Sequence, residues 1–212
     1  MIMSFGKVWK TSAGGFWDGM WAKHHNSPMT LQLIALAKGH TRVCEVGCGW
    51  GHFVQALINT GWRGKFFGFE MSAAGAQATK ARCDNAGIDA RVTTGDFVAF
   101  AANNNLPTGD IALCRGVVQH QAHWMPMTLA MLRMAPVAAI GIGYVSAGAM
   151  HEPFLRRKPG HYDVWLSPPA LRAEACAAGL HVETTGYRNS RRKCRELLAV
   201  FSRPETGQKD GA

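Results

Sequence analysis

Residues Thr41–Gly51 read TRVCEVGCGWG, and the rest of the chain falls into place around them. Thr41–Val46 has the apolar run of a short buried strand. Gly47, Gly49 and Gly51 then demand a tight turn, and HFVQALINTGW opens a helix directly after it. A strand, a glycine turn and a helix together form a cradle. The glycines let backbone bend sharply and approach a ligand closely, and the start of the helix adds unpaired N–H groups. The dinucleotide fingerprint G-x-G-x-x-G is not matched, because the spacing here is G-x-G-x-G and His52 stands where the third glycine would fall. Glu45 lies two positions before the first glycine.

Outward from that turn, strands and helices alternate. On the N-terminal side, Ser27 is placed to cap a helix that begins with Pro28, runs through LQLIALAK and stops at Gly39. On the other side, KFFGFE (Lys65–Glu70) reads as a second strand ending in an acid, and Ser72 caps a helix to about Asn85. Ala90–Thr94 is a third strand, followed by Gly95-Asp96-Phe97 and a polar loop at Asn103–Gly109. Asp110–Arg115 is a fourth strand, Trp124–Met134 a helix and Val137–Val145 a fifth strand. Ser146–Leu166 has no clear period and reads as loop. Ser167-Pro168-Pro169 begins a helix through Ala178, and His181–Tyr187 and Glu196–Phe201 are the last two strands. This alternation predicts a doubly wound α/β fold with a mostly parallel seven-stranded sheet. No helix fits between the last two strands, so they pair antiparallel.

The totals agree with one domain. The chain has 212 residues, 47% hydrophobic and 17% charged, which is ordinary globular composition. The N-terminus has no apolar core of a signal peptide, and Pro136–Met150, broken by Gly141, Gly143, Ser146 and Gly148, is too short to span a bilayer. Six cysteines without a CxxC read as reduced thiols in a cytoplasmic protein, with no metal site expected. The unusual total is a net charge of +9, which favours an acidic partner.

The pattern E-x-G-x-G-x-G at Glu45–Gly51 resembles motif I of the class I S-adenosylmethionine (SAM)-dependent methyltransferases, and the order of elements resembles theirs end to end. The resemblance implies SAM as cofactor and S-adenosylhomocysteine (SAH) as product. It divides the chain into an aromatic-rich cap and helix at 1–40, a SAM-binding domain at 41–203 and a tail at 204–212. Gly47, Cys48 and Gly49 are then the turn that faces the cofactor. Glu70 accepts from the ribose diol, a role its distance from Gly47 also allows in a nicotinamide-binding fold. Asp96 takes the exocyclic amine of adenine, Phe97 walls the ring and Met71 lines its other side. Glu45 holds the ammonium of the amino-acid tail through water and also fixes the turn. Arg115, with Gly116, matches the position where the family's backbone meets the methionine part.

Methyl transfer needs an aligned acceptor, exclusion of water and, for some acceptors, a base. His120 and His123 in VVQHQAHW, and Tyr144 near the end of the fifth strand, are the candidate catalytic residues. His120 also reads as a residue that simply starts a helix. The D/N-P-P-Y/F tetrad of amino-group methylation on nucleobases is absent, since the place reads CRGV, and SPPA at Ser167–Ala170 follows the wrong strand. For the substrate, Trp17 and Trp21 in FWDGMW resemble the aromatic cap of small-molecule methyltransferases. His161, in the loop after the fifth strand that faces the same crevice, is a candidate for touching substrate; the triplets Arg156-Arg157-Lys158 and Arg191-Arg192-Lys193 form a basic rim, if both carrying loops leave the sheet on the ligand side. Three functions stay open: methylation of an O or N on a small anionic molecule, methylation of RNA or another phosphate polymer, and a SAM-binding partner subunit without catalysis. Salt dependence separates the first two, and SAH release dismisses the third.

Overall fold

The computed structural model describes residues 26–120, 124–143, 154–158, 161–165, 167–189 and 194–204; for 154–158, 161–165, 188, 189, 194 and 195 it describes backbone alone. Helix α1 (Pro28–Lys38) starts as the sequence predicts, with the Ser27 hydroxyl accepting from the Thr30 N–H at 3.2 Å and proline in the first turn. Its buried residues, Met29, Thr30, Leu33, Ile34 and Ala37, recur at helical spacing and form one inward face. There follow β1 (Arg42–Val46), α2 (His52–Asn59), β2 (Lys65–Glu70), α3 (Ala73–Asn85), β3 (Ala90–Thr94), α4 (Phe97–Asn103), β4 (Ile111–Arg115), a 3₁₀ turn at Val118–His120, α5 (Trp124–Met134) and β5 (Val137–Ile142). The remaining elements are β6 (Phe154–Lys158), β7 (His161–Trp165), α6 (Pro168–Ala177), β8 (His181–Asn189) and β9 (Cys194–Ser202).

Seven strands form one sheet in the order β3-β2-β1-β4-β5-β9-β8. β1 to β5 run parallel, while β9 is antiparallel both to β5 and to β8. β8 therefore points the same way as β5, so the carboxyl ends of six strands share one edge. The order reverses between β1 and β4, which opens a crevice at that edge. β1, at the centre, is buried along four of its five residues, as a strand covered on both faces must be.

Each face of the sheet carries a core. Met29, Leu33, Val43, Leu57, Phe66, Cys83 and Leu113 join α1, α2 and α3 to one face. Phe97, Met127, Met131, Ile140, Leu171 and Phe201 join α4, α5 and α6 to the other. The large side chains are nearly water-free, with Phe66, Leu57, Met131 and Phe201 at 0% exposure. Burial of each stabilises by roughly 1.5–3 kcal/mol.

One expectation is corrected. The sequence of Ser146–Leu166 predicts loop, yet β6 and β7 pair antiparallel as a separate two-stranded sheet, with Phe154 opposite Trp165 and Lys158 opposite His161. The run FLRRK hides this strand, because consecutive basic residues lack the apolar alternation that marks a half-buried one. The sequence signal was Pro159-Gly160, a turn dipeptide between the two segments. Helix α4, which lies between the Gly95-Asp96 turn and the polar loop, was also not foreseen.

Candidate active site

The glycine turn is pinned from two sides. The Gly47 and Cys48 N–H groups donate to the Phe69 carbonyl at the end of β2, at 2.8 and 3.1 Å. From α3, the Thr79 hydroxyl donates to the Gly49 carbonyl at 2.9 Å and Arg82 Nε donates to the Trp50 carbonyl at 2.8 Å. Gly47 has φ +76° and its backbone packs so tightly that a Cβ would lie 2.2 Å from Val117 Cγ2. Gly49, at φ +56°, is different, since a Cβ there would meet nothing within 4 Å among the described residues. The first glycine closes the fold and the second faces open space.

Glu70 completes the cradle. One oxygen accepts the Gly49 N–H at 2.8 Å, and the other accepts the Ser72 N–H at 2.9 Å. Burial raises its pKa, while these N–H groups work against the rise. The Met71 N–H also acts on this carboxyl, and a carboxylate has about four lone-pair sites, so acceptor capacity remains for a diol. Met71 follows, half-buried.

Asp96 caps α4, with Oδ1 accepting from Val98 N–H at 2.8 Å and Ala99 N–H at 3.2 Å, and it is exposed at the carboxyl end of β3. The Phe97 ring turns inward. It is 6% exposed and meets Phe69 edge-on at 4.9 Å between centroids.

Glu45 and Arg115 lie on the same face of the sheet, on the adjacent strands β1 and β4, with Glu45 opposite Leu113. Glu45 is 3% exposed, and its Oε2 has no hydrogen-bond partner among the described residues. Burial pushes its carboxyl up to about 8, against the Arg115 charge. Arg115 donates its Nε–H to the Thr30 hydroxyl at 2.9 Å, and that hydroxyl lies 2.9 Å from the Ser27 hydroxyl. The start of α1 thus reaches the site, which no motif announced. Glu196 on β9 is a further buried carboxyl, 3% exposed, on the same face and near the same edge. Gln119 was missed as well, because a lone glutamine carries no motif. Its Oε1 accepts the Gly143 N–H at 3.0 Å and ties the turn after β4 to the end of β5.

His120 ends the 3₁₀ turn, half-buried, with its N–H donating to the Val117 carbonyl at 2.9 Å. β7 packs against that turn. The backbone of the hairpin sets Arg156 opposite Asp163, Arg157 opposite Tyr162 and Lys158 opposite His161. Trp17, Trp21, His123, Tyr144, Arg191 and Arg192 lie outside the described residues, but Asn189 and Cys194, which bracket the second triplet, are paired at the carboxyl edge. Among the described residues no group of His, Cys, Asp or Glu is arranged to hold a metal ion, and no helix is long and apolar enough to cross a membrane.

Residues 43–137 match the family described as Methyltransferase domain. No curated protein matches the chain. Several solved structures share its fold. The 1,6-didemethyltoxoflavin-N1-methyltransferase of Burkholderia thailandensis, solved with 1,6-didemethyltoxoflavin and SAH, is 13% identical, with a TM-score of 0.69 over 90% of this chain and 84% of that one. The magnesium protoporphyrin IX methyltransferase of Synechocystis, solved with SAM, is 14% identical, with a TM-score of 0.63 over 91% and 86%. A Haloferax volcanii putative methyltransferase, solved in complex with the Trm112 methyltransferase activator, is 19% identical, with a TM-score of 0.68 over 91% and 95%. The family match runs from β1 through the glycine turn to the first residue of β5, and together with this sheet order it gives the chain a methyltransferase domain on the class I methyltransferase fold.

Proposed function

We propose that the chain transfers a methyl group from SAM to an O or N of a small anionic acceptor. The observation that carries the acceptor class is where the basic segments emerge. β6, with Arg156, Arg157 and Lys158, belongs to the hairpin that packs on the turn after β4, and the connection holding Arg191–Lys193 leaves the sheet at the same carboxyl edge. The packing of β7 on that turn and the pairing of Asn189 with Cys194 at the carboxyl edge support a basic rim beside the crevice, and arginine forks favour carboxylate and phosphate.

The residues fit the cofactor. Glu45 offers a buried carboxyl oxygen without a hydrogen-bond partner, Glu70 offers acceptors to a ribose, and a Cβ on Gly49 or Gly116 would stand in open space. When bound, SAM supplies a methyl carbon already activated by its sulfonium. The protein's part is positioning. Asp96 would accept from the adenine amine with Met71 beside it, Phe97, packed on Phe69, would back that wall, and Arg115 would stand by the amino-acid end. His120, His123 or Tyr144 takes the proton from a hydroxyl or ammonium acceptor, and Trp17, Trp21, His161 and the arginines hold the acceptor itself.

The test is a screen of small carboxylated and phosphorylated acceptors scored by SAH release. An anionic acceptor should lose about tenfold in kcat/KM with Arg156→Ala plus Arg157→Ala, mostly through KM. Steep loss of turnover between low and moderate salt with RNA, but none with small acceptors, would favour the polymer reading instead. Absence of SAH release with every acceptor would favour a partner subunit.

A further inference from the structure

The groups around Glu45 are already committed. Glu70, one strand over, gives its oxygens to the Gly49 and Ser72 N–H groups, and Arg115 gives its Nε–H to Thr30. The other ionisable groups that share its face or its surroundings are the buried Glu196 on β9 and three thiols held neutral by burial: Cys48 in the turn, Cys83 on α3 and Cys114 on β4. Of the remaining helices on this face, α1 bears no ionisable side chain before Lys38 and α2 bears only His52. A buried carboxylate oxygen without a partner is costly, so the neutral acid is the favoured form at neutral pH. Burial raising Glu45 to about 8 agrees with that geometry.

We propose that Glu45 keeps its proton until the amino-acid end of the cofactor arrives, and that the incoming ammonium displaces it, so that cofactor binding releases one proton from the protein. The inference rests on reading the glycine turn as the SAM site. The carboxylic O–H bond breaks, the proton passes to buffer and the carboxylate pairs with the ammonium; nothing is oxidised or reduced. Affinity then climbs with pH below the Glu45 pKa, by up to about tenfold per unit.

The readout is calorimetry of the full chain at pH 6.5, where an α-amino group of ordinary pKa about 7.7–8.0 is already mostly ammonium. Titrations with SAH in buffers of low and high ionisation enthalpy count the protons released. 5′-Methylthioadenosine carries the nucleoside without the amino-acid end, so it reports any proton exchange at Glu70 or Asp96. We expect SAH to release close to one proton more than methylthioadenosine. Glu45→Gln should abolish that difference and flatten the pH dependence of SAH affinity while leaving methylthioadenosine binding unchanged, which also shows the variant is folded. SAH that binds with no extra proton overturns the inference and leaves the cofactor reading intact. No binding of SAM, SAH or methylthioadenosine overturns both.

Discussion

At the scale of single residues, two glycines of one turn answer to different constraints. Gly47 is held by packing, since φ +76° and a Cβ 2.2 Å from Val117 Cγ2 both oppose any side chain. Gly47→Ala should therefore cost about 2 kcal/mol or more and lower Tm by about 4–8 °C in thermal unfolding. Gly49 has φ +56°, but none of the described residues would come within 4 Å of a Cβ there. Gly49→Ala should cost only about 1 kcal/mol of stability. Its methyl would occupy the cradle, so SAH affinity by calorimetry should fall tenfold or more, about 1.4 kcal/mol. If both variants lost stability equally and affinity not at all, the cradle would not face the cofactor. The tight turn marked Gly47 and Gly49 in the sequence, and the resemblance to the methyltransferase motif and strand order marked Glu45, Glu70 and Asp96. It said nothing of Thr30 or Gln119, whose partners are 85 and 24 residues away along the chain.

At the scale of elements, the amino ends of β1 and β4 are stapled by Asp110. Its Oδ2 accepts from the Thr41 N–H, the Thr41 hydroxyl and the Arg42 N–H at 2.8–3.1 Å, and Oδ1 accepts from Arg42 Nε and Nη2 at 2.9 and 2.7 Å. The Arg42 hydrogen bonds, with smaller help from Thr41, hold its pKa down at about 2, below the ordinary 3.8. A depressed carboxyl stabilises above its unfolded pKa and stops doing so as pH falls through the folded one. Urea unfolding should find wild type more stable than Asp110→Asn at neutral pH, with the gap closing between about pH 4 and 2. The β6–β7 hairpin makes the opposite case. It forms no ladder with the main sheet, and a lone hairpin is marginal in water unless it packs on something. Replacing 154–165 by a glycine-serine linker should leave SAH affinity within about twofold while turnover of the anionic acceptor falls by about a hundredfold or more. Unchanged turnover would remove the hairpin from the acceptor site.

At the scale of the whole molecule, two cores on opposite faces of one sheet fix the strands whose carboxyl ends form the edge. The alternation of apolar strands and amphipathic helices was enough to predict that sheet and its reversed strand, because burial on both faces writes itself into composition along each segment. The cofactor edge was legible for the same reason, since a turn between a strand and a helix is local in sequence. Three things were settled only by folding. The packing of the hairpin on the turn after β4 joins segments about 40 residues apart, and its basic strand carries no apolar period to betray it. The tie from α1 to Arg115 and the burial of Glu45 beside it depend on which helices cover which face. Local sequence fixes φ, ψ and periodicity, whereas the protonation and partners of a carboxyl depend on how much water the assembled tertiary structure leaves around it.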